Sequence, residues 1–334
     1  MEYDAVFYEA FEKEEKALKK FLPGGYKYLF TWKTIAESGH QEVPAPIVST
    51  RTQSQYPLQW KTGIKAILTR STGYDHVTAY RQEIGRPIPA AYLPDYAARA
   101  VAEQALLLWS ALLRNLTEQQ QAFKTFYRDG LTGREIRGRT IAVIGVGRIG
   151  SQIVDIAHGL GLRVLGVDLE PKPELAAQYA LQYVSLPEAV TTCDIAVCAL
   201  PLTEITRGLL DYDLLARMKR GAVFINIARG EISPSRDLLR LLKEQVLGGI
   251  ALDVYDYEKE LAAILRDGAR LEDLDHQARE SVGAILQLMT MTKVILTPHN
   301  AFNTEESVER KSQHTADNIR AYLETGKFLT PVPL

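Results

Sequence analysis

Short apolar runs closed by polar or glycine-bearing segments alternate along this chain with stretches whose apolar positions recur at helical spacing. Tyr3 to Tyr8 alternates as a strand does, "FEKEEKALKK" follows as a charged helix, and "LPGG" ends it. "APIVST" and "IKAILT" read as further strands, and the same rhythm returns more strongly after residue 139. Such alternation predicts two α/β units with parallel sheets. Between them, "RAVAEQALLLWSALLRNLTEQQQAFKTF" keeps helical periodicity over several turns and suits a helix bridging the units, so the boundary is expected inside it. No fixed-period repeat or low-complexity linker interrupts the pattern.

Composition narrows the chemistry. Lys and Arg number 39 against 41 Asp and Glu, and the resulting net charge of −2 gives no general attraction to nucleic acid or to an anionic membrane. Small-molecule chemistry is the better expectation. The mixed-sign run "EKEEKALKK" reads as a solvated helix face. The two cysteines, Cys193 and Cys198, sit in the apolar run "TTCDIAVCALP", and without further Cys or clustered His they read as packed thiols and complete no metal set. A reducing cytoplasm fits that usage, and the charged N-terminal stretch lacks the apolar core of a signal peptide.

"RTIAVIGVGRIG" supplies a strand and then Gly145, Gly147 and Gly150 in G-x-G-x-x-G spacing before a helical stretch. The first glycine permits a tight turn, the second lets backbone approach a pyrophosphate, and the third lets helix pack on strand. A second strand, "RVLGVD", ends at Asp168, where a carboxylate accepts hydrogen bonds from the adenosine ribose hydroxyls. Strand, loop, helix, strand and acid in that sequence predict a dinucleotide site. Asp168 would repel a 2′-phosphate, so NAD is favoured over NADP, with Lys172 the one nearby residue that could weaken the preference.

Three later apolar strands end in polar clusters: "FINIARGE" with Arg229, "GIALDVYDYEKE" with Asp253 and Glu258, and "VILTPHNAF" with His299. Ligands bind at the carboxyl ends of parallel strands, so all three could face the nicotinamide. Reduction of a 2-oxo acid needs a fixed cation on the carboxylate and ketone, a proton donor for the new alkoxide, and a partner that keeps the donor charged. Arg, His and Glu meet those needs.

These motifs resemble the D-isomer-specific 2-hydroxyacid dehydrogenase family over nearly the whole chain, and most closely its D-lactate dehydrogenase branch. The resemblance implies that Arg229 binds and polarises substrate, that His299 is the acid and base with Glu258 its partner, and that Asp253 contacts the nicotinamide carboxamide. It extends more loosely to "RSTGYDHV" and "LPDYAARAVAEQALLL", implying substrate contacts from backbone N–H groups of Thr72 and Gly73, from Tyr96, and from Phe302 in "HNAFNTEES". The cofactor set it implies is Val101, Gly145, Gly147, Arg148, Ile149, Gly150, Asp168 and Asp253, with NAD as cofactor.

The expected architecture is two Rossmann-like doubly wound parallel-sheet domains with the active site in the cleft between them. Residues 1–110 and 299–334 would form a discontinuous substrate domain and residues 111–298 the NAD-binding domain, with a homodimer formed through the latter. Departures from the family pattern are Lys259 after Glu258, Asn300 after His299, and Arg99, which is expected to be exposed and outside the site. Pyruvate is the preferred substrate. Glyoxylate, hydroxypyruvate, a phosphoglycerate or a branched-chain 2-oxo acid would use the same residues, and an NAD-sensing binding protein stays open as an alternative from another class.

Overall fold

The computed structural model describes residues 2–333 and resolves into two units, one formed by the chain up to Ala97 and from Asn303 onward, the other by Ala98–Phe302. In the first unit, β1 (Ala5–Phe7), β2 (Tyr28–Phe30), β3 (Ile47–Thr50), β4 (Ala66–Thr69) and β5 (Ala90–Ala91) pair in parallel in the order β2-β1-β3-β4-β5. The central strands β1, β3 and β4 are buried along their whole length, because crossover segments cover both faces; this is why they read as continuous apolar runs. Val6, Val48 and Ile67 form a core with Trp60, Val77 and Tyr80.

The helix Glu12–Phe21 packs against the C-terminal helix Glu305–Thr325, and here the expected solvated face needs correction. Its outer positions pair at the surface, as with Lys16 and Glu12, but Glu14 is turned inward and buried. Its Oε1 accepts from Arg70 Nε at 2.8 Å and lies 2.9 Å from Lys311 Nζ, both cations being fully buried. Against the penalty of burial, Arg70, Lys311 and Arg51 hold the Glu14 carboxyl down to about 2. Lys311 goes the opposite way from an ordinary ion-pair lysine: burial, together with Arg51 and Arg70, outweighs Glu14 and brings it down to about 8.

In the second unit seven strands pair in parallel: β6 (Thr140–Ile144), β7 (Arg163–Val167), β8 (Gln182–Tyr183), β9 (Ile195–Cys198), β10 (Ala222–Asn226), β11 (Leu247–Leu252) and β12 (Val294–Leu296). Their order is β12-β11-β10-β9-β6-β7-β8, so the direction of winding reverses between β6 and β9. That switch point lies where the glycine loop leaves β6. Cys193 and Cys198 are packed thiols, pushed up to about 12 chiefly by burial.

The expected bridging helix is broken. Asn115 takes a left-handed conformation (φ 51°) and separates Ala98–Leu113 from Leu116–Ala122. The first of these packs along β10 and β11 and against the helix Arg148–Gly159, so it belongs wholly to the second unit. The division therefore falls at 97/98 and not at 110/111. At the other end it falls at 302/303 and not at 298/299, because β12 pairs with β11 and carries residues 297–302 with it. Among the described residues no helix is long and apolar enough to cross a membrane.

Candidate active site

The glycine loop has the shape its spacing predicts. Gly145 has φ 95°, and a Cβ there would lie 2.7 Å from the Ala199 carbonyl; a Cβ on Gly150 would fall 1.9 Å from the Gly145 carbonyl. Both must be glycine for helix and strands to close on each other. At Gly147, the residue before the helix Arg148–Gly159, a Cβ would meet nothing, so the backbone borders open space at a helix N-terminus. Arg148 and Ile149 follow in the first turn, whose N–H groups have no partner within the helix. Asp168, after β7, accepts the Val146 N–H at 2.7 Å and the Glu170 N–H at 2.9 Å, fixing its carboxylate against the loop. Lys172 donates to the Val146 carbonyl at 2.7 Å. This cradle fits an NAD pyrophosphate and ribose.

Arg229, Glu258 and His299 follow the ends of three neighbouring strands, β10, β11 and β12. Glu258 opens the helix Glu258–Asp267 and places both carboxylate oxygens on His299 Nδ1, at 3.0 and 2.9 Å. His299 sits in a tight turn. Its backbone is left-handed (φ 49°), and its N–H donates to the Thr297 carbonyl at 2.9 Å. Non-glycine residues held in this region cost on the order of 1 kcal/mol and persist only where their surroundings enforce them.

Asp253 is the enforcing group. It is 1% exposed, and its carboxylate accepts from Thr297 Oγ1 at 2.5 Å and from the backbone N–H groups of Asn300 and Ala301, each at 2.9 Å. Burial pushes this carboxyl above its ordinary range, against the pull of those donors and of His299. The geometry thus gives Asp253 the anchoring of the histidine turn, a task that the expected carboxamide contact had not suggested. Tyr255 adds a hydroxyl bond to the Thr297 carbonyl at 2.8 Å.

The Arg229 turn is equally tied down. Asn226, wholly buried at the end of β10, donates to the Arg229 carbonyl at 2.9 Å and to Ser233 Oγ at 2.7 Å, while its Oδ1 accepts the Ala228 N–H. Gly230 then runs directly against the next strand end: a Cβ there would lie 1.9 Å from the Tyr255 carbonyl carbon and 2.0 Å from the Asp256 nitrogen. Sequence reasoning named the arginine and missed these supports, although the run "NIARG" contains two of them, Asn226 and Gly230.

The remaining expected residues are placed as follows. Val101 is buried in the helix Ala98–Leu113, and Phe302 is half-buried just past the histidine turn. Arg99 is exposed, as expected, and is paired with Glu103 and Asp155. In the first unit Thr72 and Gly73 follow β4, with Thr72 Oγ1 donating to the Leu93 carbonyl at 3.1 Å. Tyr96 is buried there, its carbonyl accepting from Arg310 Nε at 2.9 Å and its ring 6.0 Å from Lys311 Nζ.

Comparison with known proteins identifies the family. Residues 106–301 match the model of the D-isomer specific 2-hydroxyacid dehydrogenase NAD binding domain. The chain is 32% identical over 287 residues to a D-lactate dehydrogenase of Streptococcus agalactiae (83% of this chain, 82% of the relative). It is 34% identical over 262 residues to a D-specific alpha-keto acid dehydrogenase of Enterococcus faecalis (77% of this chain, 75% of the relative). The structure of D-lactate dehydrogenase from Aquifex aeolicus complexed with NAD and lactic acid superposes with a TM-score of 0.81 at 25% identity, covering 99% of this chain and 100% of that one. The chain belongs to the D-isomer-specific 2-hydroxyacid dehydrogenase family, NAD-dependent oxidoreductases, and within it to the D-lactate dehydrogenase branch.

Proposed function

We propose that the protein reduces a small 2-oxo acid, with pyruvate preferred, to the D-2-hydroxy acid, and that Arg229, Glu258 and His299 carry the chemistry. The observation that carries this reading is the grip of Glu258 on His299 Nδ1. With Nδ1–H donated to the carboxylate, the ring is held in one orientation and keeps Nε2 as the atom that gives or takes a proton. NADH, when bound, supplies the hydride that the ketone carbon receives. His299 Nε2 gives its proton to the oxygen that becomes the hydroxyl, and Arg229 holds the carboxylate and polarises the ketone.

The loop at Gly145, Gly147, Arg148, Ile149 and Gly150 would hold the cofactor pyrophosphate, with Asp168 at the ribose and Val101 on the nicotinamide side. Thr72, Gly73 and Tyr96 are proposed substrate contacts, each to be tested by its own substitution. Phe302 is proposed to border the group on the ketone carbon, where an aromatic ring suits a methyl better than a long side chain. Assembly as a dimer through the cofactor-binding unit is supported by three exposed aromatics in one short stretch, Phe123, Phe126 and Tyr127.

The test is NADH oxidation by the purified protein against pyruvate, 2-oxobutyrate, phenylpyruvate, hydroxypyruvate, glyoxylate and oxaloacetate, with chiral analysis of the product. Fast conversion of pyruvate to D-lactate supports the full reading. A different best acid leaves the chemistry in place and moves the assignment of Phe302. Tight NADH binding with no turnover of any acid removes the reading in favour of an NAD-sensing protein.

A further inference from the structure

Two residues before Glu258 lies a second acid that takes no direct part in the proposed chemistry. Asp256 is 6% exposed, and its carboxylate is taken up entirely within the protein. Oδ1 accepts from the Ser235 hydroxyl, and Oδ2 accepts from the Ser281 hydroxyl and, at 3.3 Å, from the Ser235 N–H. Ser235 is the first residue of the helix Ser235–Lys243, and Ser281 belongs to the helix His276–Leu288, which packs against it. A buried carboxylate with three donors is a stiff junction, because each donor would be left unpaired by its removal.

What the junction holds is the launch of the Glu258 helix. Tyr257, between Asp256 and Glu258, has φ 55°, a left-handed conformation that a tyrosine does not adopt unaided. That one residue sets the direction in which Glu258 leaves the strand end. Ser235 also lies just beyond the Arg229 turn, whose Gly230 abuts the Tyr255–Asp256 peptide. One carboxylate therefore locks the segment carrying Glu258 to the segment carrying Arg229.

We propose that Asp256 is a positioning residue for the proton-transfer pair: its bonds to Ser235 and Ser281 hold Tyr257 left-handed and so keep Glu258 on His299 Nδ1. The inference rests on the proposed reductase reading. Asp253 and Glu258 both face His299, but Asp253 acts on the histidine turn, whereas Asp256 acts on the glutamate.

The expected phenotype of Asp256→Ala is a loss of about tenfold or more in kcat, with NADH Kd and substrate KM changed less than about threefold. In the Glu258→Gln background the same substitution should add less than about a twofold loss, since both act on one pair. Asp256→Asn, which keeps an acceptor for the serine hydroxyls, should recover most of the turnover. Losses that multiply in the double variant, or an unchanged kcat beside a lowered Tm, overturn the proposal. If Asp256→Ala does not fold, Ser281→Ala retains the carboxylate and should lower kcat by a smaller amount with KM held; an unchanged kcat there is equally fatal. Should the wild-type protein turn over no acid, the reductase reading fails by itself, and the NMR resonance of the His299 Nδ1–H then decides: Asp256→Ala must broaden or abolish it for the positioning role to stand.

Discussion

Arg229 and Glu258 can each be separated from their conservative neighbours by one substitution. Arg229→Lys keeps the charge but replaces a planar fork with a point donor, so kcat/KM for the best acid should fall more than about tenfold; steady-state rates near wild type would take Arg229 out of the mechanism. Glu258→Gln keeps the shape and removes the charge beside Nδ1. The ring then loses its charged partner, and kcat for reduction should fall more than about tenfold while NADH binding stays near wild type; initial rates that do not change would argue that the pair is structural. These residues were legible in the sequence because each follows a strand end within a short recognisable run. Asp256 was not, because Ser235 and Ser281 are common polar residues lying 21 and 25 positions away, and only the fold joins them. His299's left-handed backbone was equally hidden, since no run of residues around "TPHNAF" announces it.

Among the elements, the charged helix Glu12–Phe21 differs most from its pattern. Its mixed signs describe a solvated face correctly for Glu12 and Lys16, but one carboxylate in the same run neutralises two buried cations from other elements. Glu14→Gln would leave Arg70 and Lys311 without that charge, a change of about 3 to 5 kcal/mol in proteins where a buried pair loses one member. The pH dependence follows from the depressed value of Glu14. Its folded-state value of about 2 lies below its ordinary 4.5, so its contribution is complete above pH 4.5 and is lost as pH falls through about 2. Denaturation of wild type and variant should therefore differ fully at pH 7 and converge across that acid window. A gap that stays constant down to pH 2 would mean that packing, not charge, stabilises the helix there. Lys311, with its value near 8, does not titrate in this range. The strands were legible because buried parallel strands are apolar throughout; the break at Asn115 was not, because a single left-handed residue leaves the apolar periodicity on both sides intact.

At the level of the whole molecule, two parallel sheets and the dinucleotide loop could be read from rhythm and glycine spacing, whereas the limits of the units could not. Periodicity marks a helix without saying which sheet it packs on, and the helix Ala98–Leu113 is allotted by its contacts with β10 and β11. The proposed dimer belongs to this scale too. Phe123 and Phe126 are 74% and 70% exposed, an unusual display for two phenylalanines three residues apart, and their rings meet edge to face. Replacing both with Asp should convert the dimer to a monomer in sedimentation velocity while leaving NADH binding near wild type; a wild-type protein that sediments as a monomer would refute the assembly outright.

Gly230 bears on how such a protein can diversify. With no room for even a methyl group between it and the Tyr255–Asp256 peptide, the strand ends bearing the arginine and the glutamate share one degree of freedom. Neither can be retuned without carrying the other along, so inherited change in this block is nearly all-or-none. At Phe302 after the histidine turn, and at Thr72 and Tyr96 in the other unit, no glycine is wedged against a neighbouring strand end. If the proposed substrate contacts are right, a lineage built on this scaffold could exchange one acid for another by change at those positions while the arginine and glutamate segment is passed on as a block.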